Sequence, residues 1–102
     1  MADRDVVVGI ALEEACLTLE QLASACSVES EWVVRRVDEG LLPSAGRSHT
    51  EWRFTSGELL RARRMRQIER DFDAVPELAA LVADMLEELD ELRARLGRGG
   101  FR

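Results

Sequence analysis

The sequence predicts a mainly α-helical fold that contains a small β hairpin and ends in a long helix of coiled-coil type. Two Thr-x-x-Gln/Glu motifs, beginning at Thr18 and Thr55, mark the starts of separate helices. Apolar residues then recur every three or four positions from Val75 to Leu96, as in a helix that packs lengthwise against another helix. With 102 residues, the chain has room for one domain and one modest core.

Short elements precede the long helices. Residues 6–10 are rich in β-branched valine and isoleucine, which predicts a strand. Its candidate partner is Trp52-Arg53-Phe54, where two aromatic residues alternate around an arginine. The stretch 44–50 has no apolar residue heavier than alanine, so it is predicted to form the tip of a hairpin. The first helix begins at Thr18 and runs for about two turns, to Ala25.

The second helix is predicted over residues 29–39. Glu29 and Glu31 fall in its first turn, where the helix dipole favours negative charge. Gly40 ends the helix, because glycine readily adopts the left-handed conformation that often follows a last turn. Leu41-Leu42-Pro43 then leads into the hairpin. Two short helices, a tight turn and a hairpin together have the order of a winged helix-turn-helix.

A third helix begins at Thr55 and carries apolar residues along one face. Its opposite face holds the arginines Arg61, Arg63, Arg64, Arg66 and Arg70. We expect these arginines to be solvated and to pair with Glu58 and Glu69. Proline is well tolerated only in the first turn of a helix, so Pro76 predicts that a new helix begins near Val75.

The last helix has an apolar seam that requires a partner. We expect a homodimer formed through Leu78, Val82, Met85, Leu89, Leu92 and Leu96. The orientation of the pair stays open, because a parallel pairing would place Glu88 opposite Arg93 of the partner subunit in an attractive contact. The predicted organisation is a winged helix-turn-helix domain over 1–74, a dimerisation helix over 75–97 and a flexible tail over 98–102.

Composition argues against several classes of function. The 14 arginines, with no lysine, stand against 20 acidic residues, and the formal net charge of −6 opposes binding to phosphates. Cys16, Cys26 and His49 are too few and wrongly spaced for a metal site, so we expect buried free thiols and no cofactor.

Enzymatic and membrane functions are also disfavoured. The single histidine, the absence of tyrosine and the lack of a nucleophile motif argue against an enzyme with a small-molecule substrate. No window approaches the roughly 20 apolar residues that span a bilayer, so we expect a cytoplasmic protein without a membrane segment.

The segments Thr18-Leu19-Glu20-Gln21-Leu22-Ala23, 35–43 and Arg53-Phe54 resemble, in order and spacing, the MerR-type winged helix-turn-helix family. The resemblance implies that the second helix reads the major groove of DNA and that the dimerisation helices pair antiparallel. Candidate DNA contacts are Arg35, Arg36, Arg47 and Arg53. However, Val34 stands where the family has a hydrogen-bonding arginine, and the four acidic residues of this helix would repel phosphates.

DNA binding is therefore not our first expectation. A MerR-type transcriptional regulator is the alternative function, and a generic helical scaffold is a third hypothesis. Neither alternative needs a small-molecule ligand or a membrane.

A second set of segments covers nearly the whole chain. It consists of the valine-rich start, Glu14-Ala15-Cys16-Leu17, Gly40-Leu41-Leu42-Pro43, Trp52-Arg53-Phe54 and Val75-Pro76-Glu77-Leu78-Ala79-Ala80-Leu81. These segments are similar to the chaperone-modulator family CbpM. The resemblance implies a MerR-like fold that binds the J domain of a DnaJ/CbpA-like co-chaperone and inhibits its stimulation of DnaK. It also implies that the protein restrains the DNA contact of those co-chaperones that bind DNA.

J domains resemble one another in that each presents a basic helix to DnaK. An acidic face on this chain could therefore mimic the surface of DnaK. The candidate contacts are Glu29, Glu31, Asp38 and Glu39, with Trp32 as an apolar anchor. Trp32 also has a plainer interpretation, because an aromatic residue at helical spacing usually packs in the core. The acidic run 84–91 on the last helix is the alternative contact surface.

Overall fold

The computed structural model of the protein describes residues 16–98. Its helices are α1 (Leu19–Cys26), α2 (Ser30–Asp38), α3 (Ser56–Phe72) and α4 (Pro76–Arg98). The predicted strand over 6–10 lies outside the described residues, as does the predicted tail 98–102 apart from Arg98, which is the last residue of α4. No helix within 16–98 is both long enough and apolar enough to cross a membrane.

Helices α1 and α3 both begin with the capping motif that the sequence predicts. The Thr18 hydroxyl accepts a hydrogen bond from the Gln21 backbone N–H at 3.1 Å, and the Gln21 side chain accepts one from the Thr18 N–H at 2.9 Å. Thr55 and Glu58 exchange the same two bonds, at 3.0 and 2.9 Å. Each motif satisfies two backbone donors that a helix start leaves without a partner, so both predicted starts are confirmed.

Helix α2 is slightly shorter than predicted, because Glu29 is its N-cap and Glu39 its C-cap. Gly40 has φ +79°, the left-handed conformation predicted after this helix. The chain then turns so that Leu42 is fully buried. The Arg61 Nε–H of α3 donates to the Leu41 carbonyl at 2.8 Å, which fixes this turn against α3.

The β part of the fold consists of single antiparallel bridges. In the returning segment 52–54, Phe54 pairs with Leu17 and Arg53 pairs with Ala45. This segment therefore lies between the segment that contains Leu17 and the one that contains Ala45. Both pairs exchange two backbone hydrogen bonds of 2.8–3.0 Å. The predicted small hairpin is therefore present, and Leu17 adds a third segment to it.

One apolar core joins the helix-turn-helix, the hairpin and α3. Its largest fully buried side chains are Phe54, Leu22, Leu42, Met65 and Val33. Both described cysteines are free, but only Cys26 is buried; Cys16 is exposed, so the prediction of two buried thiols was wrong for Cys16.

Helix α4 packs against α3 through a face different from its leucine seam. The buried residues of this face are Ala79, Ala80 and Ala83, whose small side chains allow close approach to α3. Two ion pairs join the same helices: Arg61 contacts Asp84, and the Arg64 guanidinium contacts the Asp90 carboxylate at 2.6 Å. The helix continues through Gly97 to Arg98 instead of ending at Gly97.

Gly46, in the hairpin, is the position where a side chain is least tolerable. Its φ is +108°, and a Cβ built there would lie 2.5 Å from the Glu51 carbonyl oxygen. Gly40 also has a positive φ, but a Cβ there would meet nothing within 4 Å. We expect Gly40→Ala to lower the free energy of unfolding by about 1 kcal/mol, from backbone strain alone. Gly46→Ala should lower it clearly more, and equal losses in urea denaturation would contradict this account.

Candidate interaction site

The exposed face of α2 is mostly acidic. Glu31, Arg35 and Asp38 follow one another at helical spacing and are all exposed. Glu29 and Glu39 flank the helix and are exposed as well. The structure thus places the four predicted acidic contacts on the surface, with Glu29 and Glu31 at the start of α2 and the other two at its end.

Trp32 and Arg36 point the other way, towards α3, and each is only 7% exposed. The Trp32 indole N–H donates to Glu69 Oε1 at 3.0 Å. Arg36 donates to both Glu69 carboxylate oxygens, from Nε at 3.0 Å and from Nη2 at 3.1 Å. The Arg36 guanidinium carbon also lies 4.8 Å from the centre of the Trp32 ring, within cation–π range. This Trp32–Arg36–Glu69 cluster fastens α2 to α3.

Arg36 keeps its charge despite burial. Burial by itself would lower the pKa of the guanidinium, but the hydrogen bonds and negative charge of Glu69, together with those of Glu39, raise it overall. The Glu39 carboxylate accepts from Arg36 Nη1 at 3.2 Å. The described residues contain no buried side-chain nitrogen or oxygen without a hydrogen-bond partner.

This geometry corrects two of the predicted site residues. Arg36 was a candidate DNA contact, but its guanidinium is buried and engaged by carboxylates, so it does not face a ligand. Trp32 was a candidate exposed anchor, but it is a core residue whose N–H is already used. The surface of α2 therefore offers Arg35 as its one exposed arginine among the described residues.

An open groove runs between the start of α2 and α3, with a volume of about 480 Å³. It is lined by Val28, Glu29, Glu31, Trp32, Arg35, Arg66 and Glu69, together with Ser27. Its rim thus carries two exposed carboxylates, while its inner lining includes the edge of the buried cluster. Arg35 and Arg66 lie in the same lining, so the groove carries charges of both signs and its two carboxylates are the groups that could attract a positively charged element of a protein partner.

The two arginines of the hairpin differ in their availability. The Arg53 guanidinium donates to the carbonyl oxygens of Trp52 at 2.7 Å and Thr50 at 3.3 Å, so it braces its own turn. Arg47 is exposed. Of the predicted DNA contacts, only Arg35 and Arg47 therefore project freely from the described surface.

The predicted partners of the α3 arginines were wrong. Glu58 caps α3, and Glu69 binds Arg36 of α2. The acidic partners of Arg61 and Arg64 come from α4 instead, at Asp84 and Asp90. Sequence reasoning missed Asp84 and Asp90 in this role because the paired residues lie 23 and 26 positions apart.

Five of the six seam residues of α4 are exposed, whereas Val82 lines a cavity with Ile68 and Phe72 of α3. Leu78, Met85, Leu89, Leu92 and Leu96 are each between 44% and 55% exposed. Val82, at the edge of the seam, is half-buried. The set named in the sequence therefore forms a continuous apolar face on the surface of the described chain.

No three metal-ligating side chains within residues 16–98 are arranged to hold a metal ion. Burial raises the pKa of the Cys26 thiol, and the nearby Arg63 charge offsets this only in part. The thiol is thus held in its protonated form, which is the less reactive one.

Residues 17–98 match the family described as MerR HTH family regulatory protein. The match covers most of the chain, so the protein belongs to this family of helix-turn-helix regulators, and the predicted fold class is confirmed. More particularly, it is similar to proteins named Chaperone modulatory protein CbpM, as the sequence resemblance predicted. The comparison with solved structures gave no match.

Two of these relatives illustrate the extent of the similarity. The one from Pseudomonas putida (strain W619) is 29% identical over 89 residues, which cover 80% of this chain and 88% of the relative. The one from Coxiella burnetii (strain Dugway 5J108-111) is 27% identical over 94 residues, which cover 91% and 89%. The similarity therefore extends from the helix-turn-helix into the long C-terminal helix.

We expect Glu69→Ala to destabilise the protein by about 3–5 kcal/mol, because it leaves a buried guanidinium with only the exposed Glu39 as a counterion. Glu39→Gln, at the exposed side of the same arginine, should cost less than about 1 kcal/mol. The double variant Arg36→Met/Glu69→Leu should recover much of the stability lost in Glu69→Ala. Chemical denaturation measures all three, and similar losses for Glu69→Ala and Glu39→Gln would contradict the role assigned to the cluster.

Proposed function

We propose that the protein is a chaperone modulator that binds the J domain of a DnaJ/CbpA-like co-chaperone and inhibits its stimulation of DnaK. The observation that carries the proposal is the similarity to proteins named Chaperone modulatory protein CbpM, over 80–91% of the chain. The charge distribution of α2 supports it independently. No cofactor and no small-molecule substrate are needed for such a function.

The acidic face of α2 suits a basic partner. Glu29, Glu31, Asp38 and Glu39 are exposed, while Arg36 is neutralised inside the fold by Glu69. A basic helix of a J domain would be attracted to this face over distances of several ångströms, which speeds encounter and selects orientation. Trp32 does not contact the partner as an exposed anchor; it supports the groove from within.

Inhibition follows from competition for one surface. A J domain whose basic helix lies against α2 cannot present that helix to DnaK at the same time. The modulator therefore acts by occupancy and needs no chemical step. The same occupancy would restrain DNA contact in a co-chaperone that uses its J-domain region to approach DNA.

The second candidate function is a MerR-type transcriptional regulator, which family membership favours. A helix-turn-helix reads DNA with its second helix, and here that helix exposes Glu31 and Asp38 beside Arg35. Phosphates would be repelled by this surface. Sequence-selective binding of duplex DNA at physiological salt, without affinity for a J domain, would establish this alternative instead.

We infer that the protein forms a homodimer through the exposed seam of α4. An apolar face of this length is rarely left in water, because removing it from solvent is favourable. The alanine face of α4 already contacts α3, so the seam remains available to a second copy. The acidic run 84–91, which is the alternative contact surface for a J domain, lies on this same helix.

The double variant Glu29→Lys/Glu31→Lys should weaken J-domain binding about tenfold or more, because it replaces attraction with repulsion. Isothermal calorimetry with a J domain encoded in the same genome measures this, and the loss of inhibition of DnaK ATPase should follow it. The matched control is Glu87→Lys/Glu91→Lys on α4. If only the control variant loses affinity, the contact surface is the acidic run of α4 and the assignment to α2 is wrong.

Replacing Leu89 with aspartate should convert the dimer into a monomer at micromolar concentration, because it places a charge in the middle of the apolar seam. Multi-angle light scattering reports the mass directly. Ala94→Asp is the matched control, since Ala94 is exposed and lies outside the seam. A wild-type protein that is already monomeric would contradict dimerisation through α4.

A further inference from the structure

The arginines of α3 divide into two sets with different surroundings. Arg61 and Arg64 form ion pairs with α4. Arg63, Arg66 and Arg70 recur at helical spacing on another face, and none of them makes an ion pair within residues 16–98. Arg63 and Arg70 are exposed, and Arg66 is half-buried. We call this second set the arginine face.

The arginine face lines a cleft between α3 and the end of α1. Ala25, Cys26 and Ser27 form the α1 side of this cleft. Helix α1 has no basic residue in its last turn, so the arginines complement the negative end of its dipole. This interaction requires only that the arginines lie near the end of α1. The exposed guanidinium groups of Arg63 and Arg70 can therefore still bind a further anionic group.

The arginine face directly borders the groove between the start of α2 and α3. Arg66 lines both the cleft at the end of α1 and the groove that contains Glu29 and Glu31. Ser27 is also shared between them. The surface beside α2 therefore has two adjoining parts, which meet at Arg66: the groove, where Glu29 and Glu31 lie beside Arg35, and the arginine face.

We propose that Arg63, Arg66 and Arg70 form the second half of the J-domain-binding surface and receive an acidic segment that lies beside the basic helix of the partner. This inference rests on the proposed function and adds a contact to it. A partner with charge of one sign would meet like charges either at Glu29 and Glu31 or at the arginine face. A partner that carries both signs fits in a single orientation, so the arrangement provides specificity as well as attraction.

Nucleic acid fits this surface less well than an acidic protein segment does. A phosphate backbone is negative along its whole length, so a strand that reached Arg66 would also meet Glu29 and Glu31 in the same groove. A folded protein can place its acidic residues over the arginine face and its basic residues over the carboxylates. Charge complementarity therefore favours the protein partner.

The test uses single charge reversals in the full chain. Arg63→Glu and Arg70→Glu should each raise the Kd for the J domain about tenfold, because each puts a carboxylate against an acidic segment. Arg95→Glu makes the same charge change on the exposed surface of α4 and should alter the Kd less than about twofold, since salt screens distant charges. Thermal melts followed by circular dichroism check that all three variants fold.

The outcomes separate this inference from the proposed function. If the wild type binds the J domain and Glu29→Lys/Glu31→Lys weakens binding, but Arg63→Glu and Arg70→Glu do not, the arginine face is not part of the site and this inference alone is overturned. If the wild type does not bind the J domain, both fall. If Arg63→Glu and Arg70→Glu abolish binding to a duplex DNA probe at physiological salt and leave J-domain affinity unchanged, the face is a nucleic-acid surface and the inference is again overturned.

Discussion

The rest of the structure depends on the buried ion pair between Arg36 of α2 and Glu69 of α3. Removing two charges from water is costly, and here the cost is offset by two hydrogen bonds to one carboxylate and by contact of the guanidinium with Trp32. The Trp32 N–H donates to the same carboxylate, so two side chains of α2 converge on one side chain of α3. This convergence ties α2 to α3 at one buried point.

The same interaction decides the charge that α2 presents to its surroundings. Because Arg36 turns inward, its positive charge is cancelled inside the fold and does not reach the surface. Four carboxylates are exposed, at Glu29, Glu31, Asp38 and Glu39, and of these Glu39 also contacts Arg36. In a helix-turn-helix, the second helix is the one that enters the major groove. The helix-turn-helix scaffold thus presents a mostly acidic second helix, while Arg36 of that helix is held in the core.

Sequence reasoning succeeded where the determinants are local. The capping pairs at Thr18 and Thr55 join residues three positions apart, and Gly40 needs only its own backbone conformation, so both could be read from the order of residues. The outward position of the α4 seam also follows from a regular repeat. The pairing of Arg36 with Glu69 could not be read in this way, because 33 positions separate them and many acidic residues were equally plausible partners.

The contact between α3 and α4 was missed for a related reason. Leucines dominate the pattern of α4, yet the side that meets α3 is the stripe Ala79, Ala80 and Ala83. Small side chains give a weak signal in a sequence, although they allow the closest helix approach. Which of the five α3 arginines bind α4, and which remain free for the arginine face, depends on this approach and on the turn at Asp73, which has φ +51°.

Because α4 uses its alanine stripe for α3, its leucine seam can join two chains without disturbing either domain. Such a pair would carry two copies of the groove beside α2. A co-chaperone assembly that contains two J domains could then engage both grooves, and the second contact would form at a high effective concentration set by the length of α4. Modest affinity at each groove would then give long-lived capture through avidity, and a free, single J domain would be released quickly.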